Sequence, residues 1–405
     1  LSVETGIPGN SRLNCSSRTE WNAPANRLMT IRDRKRREGI SLIDLTETNP
    51  TAVGFQHDAR SIRMAVSPPD ILDYHPNPKG RMDAREAVSA YYRDHGRKVD
   101  PDNVILTAST SEAYAFLFKL LCDPGDEILV PRPSYPLFDS LAAWESVGIR
   151  PYPLRYSNET GWRIDLDRLF DAVTSRCRAI VTVNPNNPTG SYLSLDERET
   201  IEELCRRFRM AFLCDEVFLD FPSGESGASL VSDKGNVGIP TFTLSGLSKI
   251  CGLPQLKLGW IAVSGPTRDV HGAVERLETI ADTYLSVSTP VQTAAPFLLA
   301  GRRAFQEQVI ARIHENETFL EKNIPPASVS RLFRREGGWM TILEVSRETS
   351  DEELACLLLE EDNVLVHPGY LYDMEETSVT MILSLITRPE VFRAGIRRVA
   401  DRLFA

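Results

Sequence analysis

Three short stretches of the 405-residue chain concentrate groups that could do chemistry. Asn184-Pro-Asn-Asn-Pro-Thr-Gly190 follows the apolar run 179–183. Its prolines and glycine fix a turn, from which the Asn186 and Asn187 amides are expected to point outward. Asp215-Glu216 comes directly after the apolar run 211–214, and a carboxylate at the buried end of such a run is costly unless a cation meets it. The third stretch, Ser245-Gly-Leu-Ser-Lys249 continuing through Lys257 to Trp260, holds two of the chain's eight lysines among small and apolar neighbours. A lysine kept from water loses its proton more readily and becomes a competent amine nucleophile. Singly, an ordinary turn, a structural ion pair and a surface lysine would account for these features. Together they point to amine chemistry beside a buried acid.

Groups of this kind need strand ends to hold them. Short apolar runs at 104–107, 127–130, 179–183, 211–214, 242–244 and 259–263 alternate with helical spacing over 111–121, 134–146, 194–208 and 268–284. The alternation predicts a three-layer α/β/α domain built on a mainly parallel sheet, with ligands at the carboxyl ends of its strands. After residue 300 the rhythm changes to a smaller α+β unit, joined in space by the early segment. The expected division is a loose arm over 1–17, a large domain over 51–300, and a small domain made of 18–50 with 301–405.

Composition narrows the function classes. Hydrophobic residues at 42% and charged residues at 25% fit a globular chain rather than a disordered one. A net charge of −10 disfavours nucleic acid and anionic membrane surfaces as partners. The longest uncharged run, 283–301, contains Pro290 and Pro296 and is a poor membrane span. Seven scattered cysteines without a C-x-x-C pair, and no leader pattern at Leu1, point to reduced thiols in the cytoplasm. The six histidines lack ligand spacing, so no metal site is expected, and the phosphate-loop, dinucleotide and serine-hydrolase motifs are missing.

The trio NPNNPTG, CDEVF and SGLSK…LPQLKLGW, in that order and spacing, resembles the class I/II aminotransferase family of fold type I pyridoxal-phosphate enzymes. The likeness runs over roughly residues 20–405 and extends to Tyr74…Gly80 before a helix, Ser109-Thr-Ser111 opening another, and Pro133-Ser-Tyr135-Pro136. It implies that Lys249 holds pyridoxal 5′-phosphate as a Schiff base and shuttles the substrate's α-proton, while Asp215 pairs with the protonated pyridine nitrogen. By the same resemblance Asn187 donates to the ring's 3-oxygen, Tyr135 stacks on the ring, and Ser109, Thr110 and Ser111 cradle the phosphate with Lys257. Ser245 and Phe218 belong to the same implied cofactor pocket. Tyr74 would reach the phosphate from a neighbouring subunit, which makes a homodimer the expected unit.

Three positions depart from the family pattern. Lys257 stands where an arginine is usual, replacing a bidentate fork with a point charge. Phe218 stands where a tyrosine often hydrogen-bonds the 3-oxygen. Ile382, in the run 379–385, falls where the family carries the arginine that binds the substrate carboxylate. No Arg or Lys occurs between Arg347 and Arg388, so a shifted register does not restore one, and Arg388 is the nearest substitute. Tyr284, Trp339 and Tyr370 are candidate walls of a substrate pocket. The expected activity is transamination of a small amino acid or amine with atypical carboxylate recognition. The alternative is decarboxylation or elimination with cyclisation on the same fold. A non-catalytic cofactor binder is disfavoured by the presence of both Lys249 and Asp215.

Overall fold

The computed structural model describes residues 15–19, 26–69, 71–223, 238–324, 330–346, 348–375 and 379–404. Residues 1–14 of the expected arm lie outside them. Eight strands make the large sheet: β1 (Val104–Thr107), β2 (Glu127–Arg132), β3 (Gly148–Ser157), β4 (Gly161–Ile164), β5 (Cys177–Val183), β6 (Ala211–Asp215), β7 (Thr241–Gly246) and β8 (Gly259–Ser264). Their spatial order is β1-β8-β7-β6-β5-β2-β3-β4. The central run β7-β6-β5-β2-β3 is parallel, and β8 and β4 are antiparallel to their neighbours.

Strand alternation sends successive side chains to opposite faces, and both faces are covered. Ala179, Val181 and Leu213 pack with Ala113, Phe116 and Leu117 of the helix Thr110–Leu121 and with Val274 and Leu277 of Thr267–Tyr284. Ile180 and Phe212 pack with Ile201, Leu204 and Cys205 of Leu195–Phe208. That sandwiching explains why these strands read as unbroken apolar runs.

A second, four-stranded antiparallel sheet contains β9 (Ser330–Leu332), β10 (Met340–Val345), β11 (His367–Pro368) and β12 (Val379–Ser384), in the order β9-β10-β12-β11. Ile43–Asp44 pairs in parallel with Val364–Leu365, and the Ser384 N–H donates to the Leu45 carbonyl at 2.7 Å. This pairing carries residues 45–49 across the end of β12.

The structure differs from the sequence expectation at the hairpin β3–β4 and at the helix Thr289–Ala300. Pro151 and Pro153 mask β3, and Pro296 interrupts the helical pattern of the other. The first is tolerated in a strand whose outer residues are exposed. The helix expected over 134–146 contracts to Leu137–Trp144, because Pro136 caps it and the Ser134 N–H donates to the Tyr372 carbonyl at 3.0 Å.

Candidate active site

The carboxyl ends of β5, β6 and β7 converge, as the register Val183↔Asp215↔Leu244 requires. Asp215 closes β6, a strand buried along its whole length. Its Oδ2 accepts from the Tyr114 hydroxyl at 3.0 Å and its Oδ1 from the Val217 N–H at 3.1 Å. Burial pushes the carboxyl up to about 6, against the pull of those two hydrogen bonds. Among the described residues no cation pairs with it. Its neighbour Glu216 is matched instead by Arg97, in a two-pronged pair whose Nη1–Oε1 distance is 2.8 Å. The sequence leaves an ion pair open for both carboxylates; among the described residues only Glu216 has one. Tyr114, which sequence reasoning passed over, sits on the inner face of the helix Thr110–Leu121, and only the fold brings it to Asp215.

Lys249 lies in the single-turn helix Leu247–Ile250 that follows β7. Its ammonium faces the Trp339 ring at 5.0 Å and the Phe218 ring at 5.7 Å, and those two rings pack edge to face. Desolvation lowers the amine to about 8, opposed by the nearby charge of Glu47. Trp339, expected as a pocket wall, is therefore at the amine. Tyr284 packs on Phe116, and the Tyr370 hydroxyl accepts from Asn26 at 2.8 Å. Phe218 offers no donor. Ser245, fully buried, donates its hydroxyl to the Glu216 carbonyl at 3.4 Å.

The NPNNPTG loop is held from both sides. The Asn184 N–H donates to the Asp215 carbonyl at 2.7 Å, and Asn184 Oδ1 accepts from the Leu193 N–H at 2.9 Å. Asn186 turns inward rather than outward: it is buried, and its amide donates to the Pro133 carbonyl and to Thr189 Oγ1, each at 3.0 Å. The reason is that the loop containing Pro133 and Tyr135 has a bare carbonyl there, which Asn186 satisfies. Asn187 is half-buried, and its Oδ1 has no partner among the described residues. Tyr135 stays half-exposed at the tip of the tethered loop.

Ser109 caps the helix Thr110–Leu121, its hydroxyl accepting from the Glu112 N–H at 3.1 Å. The cap leaves the N–H groups of Thr110 and Ser111 directed out of the helix, where an anion is favoured. Gly259 lies against this turn: a Cβ there would come within 2.9 Å of the Ser109 carbonyl carbon and 3.1 Å of the Thr110 nitrogen. Lys257, exposed and with a left-handed backbone (φ 55°), precedes that contact by two residues. Tyr74, expected to reach the phosphate from a neighbouring subunit, faces solvent. It is 70% exposed, at a cleft also lined by Arg81, Leu106, Leu285 and Gln292.

Ile382 is fully buried in the middle of β12, opposite Ile342 and His367. Arg388 is directed elsewhere, donating to the Ala52 carbonyl at 3.2 Å.

Residues 60–385 match the family model described as aminotransferase class I and II. An alanine aminotransferase of Mycobacterium tuberculosis is 28% identical over 349 residues, covering 82% of this chain and 79% of that protein. The glutamate-pyruvate aminotransferase AlaA of Escherichia coli is 30% identical over 275 residues, covering 67% and 66%. Nicotianamine aminotransferase 1 of rice is 28% identical over 304 residues, and there the chain spans only 60% of the relative's length. Among solved structures, an alanine aminotransferase from Pyrococcus furiosus superposes with a TM-score of 0.84 at 24% identity, over 96% of this chain and 99% of that one. With the match to the family model extending over most of its length, the chain belongs to the class I and II aminotransferases.

Proposed function

We propose that the protein is a pyridoxal-phosphate-dependent aminotransferase acting on a small amine or amino acid, with Lys249 bonded to the cofactor and Asp215 facing its pyridine nitrogen. Class I and II aminotransferases of this fold use pyridoxal 5′-phosphate. The observation that carries the reading is the contrast between adjacent buried carboxylates. Glu216 is matched by Arg97, whereas Asp215 is buried with hydrogen bonds but without a cation among the described residues. The protonated ring nitrogen of a bound cofactor would supply that cation. The capped helix end beside Gly259 fits the same group.

When bound, the cofactor supplies a conjugated ring that accepts the electron pair left as a bond to the amine-bearing carbon breaks. Lys249, lowered to about 8, is about one-tenth neutral at pH 7, enough to attack a carbonyl or take a proton from that carbon. Asp215, charged beside a cation, would keep the ring nitrogen protonated. Asn187 would donate to the 3-oxygen without help from Phe218. Phe218 and Trp339 exclude water from the Lys249 amine, and Tyr135 would cover the ring. Thr110 and Ser111 N–H groups, the hydroxyls of Ser109 to Ser111, and Lys257 would hold the phosphate.

We also propose a homodimer in which Tyr74 reaches the partner's phosphate site. Its support is the exposure of Tyr74 and Leu285, which line one cleft, at 70% and 67%. The division into a large unit over 51–300 and a small one of 18–50 with 301–405 is supported by the pairing of Ile43–Asp44 with Val364–Leu365. A cytoplasmic location is supported by seven unpaired cysteines, five of them buried. No described helix is long and apolar enough to cross a membrane.

The experiment is a single-turnover reaction of the holoenzyme with a panel of amines and amino acids. Transamination converts the cofactor to its amine form and yields an aldehyde or keto acid. Release of carbon dioxide or ammonia with the aldehyde form intact would favour the lyase reading, which the apolar Ile382 position keeps open.

A further inference from the structure

The segment that carries Phe218 to the Lys249 amine is anchored from outside the site. Residues 216–221 follow β6 as two successive turns, the Leu219 N–H donating to the Glu216 carbonyl and the Phe221 N–H to the Phe218 carbonyl, each at 3.1 Å. The rings of Phe218 and Phe221 both pack edge to face on Trp339, at 5.4 and 5.1 Å. Phe218 and Trp339 in turn face the Lys249 ammonium. Between the two phenylalanines lies Asp220, whose buried carboxylate meets the helix Met82–Asp94 and the residue after it. Its Oδ2 accepts from the Tyr91 hydroxyl at 2.8 Å and its Oδ1 from His95 Nε2 at 3.1 Å. His95 Nδ1 donates to the Tyr91 carbonyl at 3.0 Å. A carbonyl and a carboxylate only accept, so both ring nitrogens carry protons and His95 is a cation paired with Asp220. Glu216, at the start of the segment, is held by Arg97. The two acids that bracket Phe218 are thus matched by cations two residues apart. The anchor is itself wedged: the buried Tyr91 ring lies 5.9 Å from Trp260 and 5.1 Å from the Arg302 guanidinium, which pairs with Asp94 at 2.7 Å.

We propose that Asp220, held by Tyr91 and His95, is a positioning residue: it fixes Phe218, and with it Trp339, against the Lys249 amine and so keeps water from that amine. Its catalytic meaning rests on the assignment of Lys249 as the cofactor-bonded amine. A buried ion pair adds little net stability after the cost of desolvating both charges, but it selects one arrangement of the groups around it. Here the selected arrangement sets two rings against an amine whose reactivity depends on staying dry.

The test reads the amine itself. The full-length chain, stripped of cofactor, is labelled with acetic anhydride over a range of pH, and the rate at Lys249 is followed by mass spectrometry of its peptide. The parent midpoint is expected near 8. In Asp220→Ala it should rise by about one pH unit, a roughly tenfold loss of neutral amine at pH 7. Deleting a carboxylate charge would by itself move the midpoint down, so a rise reports the lost shield. Asp220→Asn, which still accepts from Tyr91, should keep the parent midpoint. Tyr91→Phe, the smaller deletion that decides the question if Asp220→Ala does not fold, should raise it by less. In a Phe218→Ala background, where the shield is already gone, Asp220→Ala should add no further rise. A midpoint that stays or falls in Asp220→Ala, or in Tyr91→Phe where only that variant folds, overturns the proposal. A rise of equal size with and without Phe218 overturns it as well. Labelling needs no cofactor, so failure of the Lys249 assignment shows separately, as a borohydride-fixed cofactor on another lysine.

Discussion

At residue scale the contrast between Asp215 and Glu216 gives the site its electrostatic character. The folded state holds the Asp215 proton to about pH 6, whereas an unfolded carboxyl releases it near 3.8. The extra stability this gives the cofactor-free protein is complete below about pH 4 and lost as pH rises through 6, an effect of about 3 kcal/mol. Asp215→Asn removes that dependence, so the stability difference between variant and parent, followed by urea unfolding, should favour the variant above pH 6 and shrink towards pH 4. A flat difference across that range would contradict the buried-acid reading. For Lys249, cofactor loading of the apoprotein should accelerate with pH around a midpoint near 8 rather than 10.5. Ile382→Arg should strengthen the reaction of ordinary α-amino acids relative to butylamine. No change in that ratio would count against Ile382 as the carboxylate position.

The elements explain which of these residues could be foreseen. Lys249, Asp215 and Asn187 each follow directly on an apolar strand, so strand periodicity and local composition pick them out. Tyr114 carries no such signal: it is a tyrosine within a helix and reaches Asp215 only through long-range packing. Asn186 was misread because its partner, the Pro133 carbonyl, is 53 residues away. At the phosphate end, Gly259→Ala would push a Cβ to 2.9 Å from the Ser109 carbonyl carbon, a backbone atom with little room to move. It should lower stability by about 1–3 kcal/mol, read from urea unfolding, and weaken phosphate binding by the apoprotein in calorimetry. An unaltered affinity would show that β8 does not shape that turn.

On the scale of the whole molecule, the parallel sheet was legible because its central strands are buried on both faces. The edge hairpin β3–β4 was not, since prolines and arginines interrupt its pattern. The chain also leaves Tyr74 exposed and available to a partner subunit. Sedimentation should give a dimer mass, and Tyr74→Phe should weaken cofactor retention about tenfold while leaving that mass unchanged, the loss of one hydrogen bond to a charged phosphate. A monomer that keeps full cofactor affinity would contradict the shared-site arrangement.

The most direct measurement is borohydride reduction of the purified holoenzyme followed by proteolysis and mass spectrometry of the peptides. A pyridoxyl-phosphate mass on the peptide containing Lys249, absent in Lys249→Ala, is the predicted result. The same mass on Lys257 or any other lysine, or on none, would contradict the assignment on which the site rests.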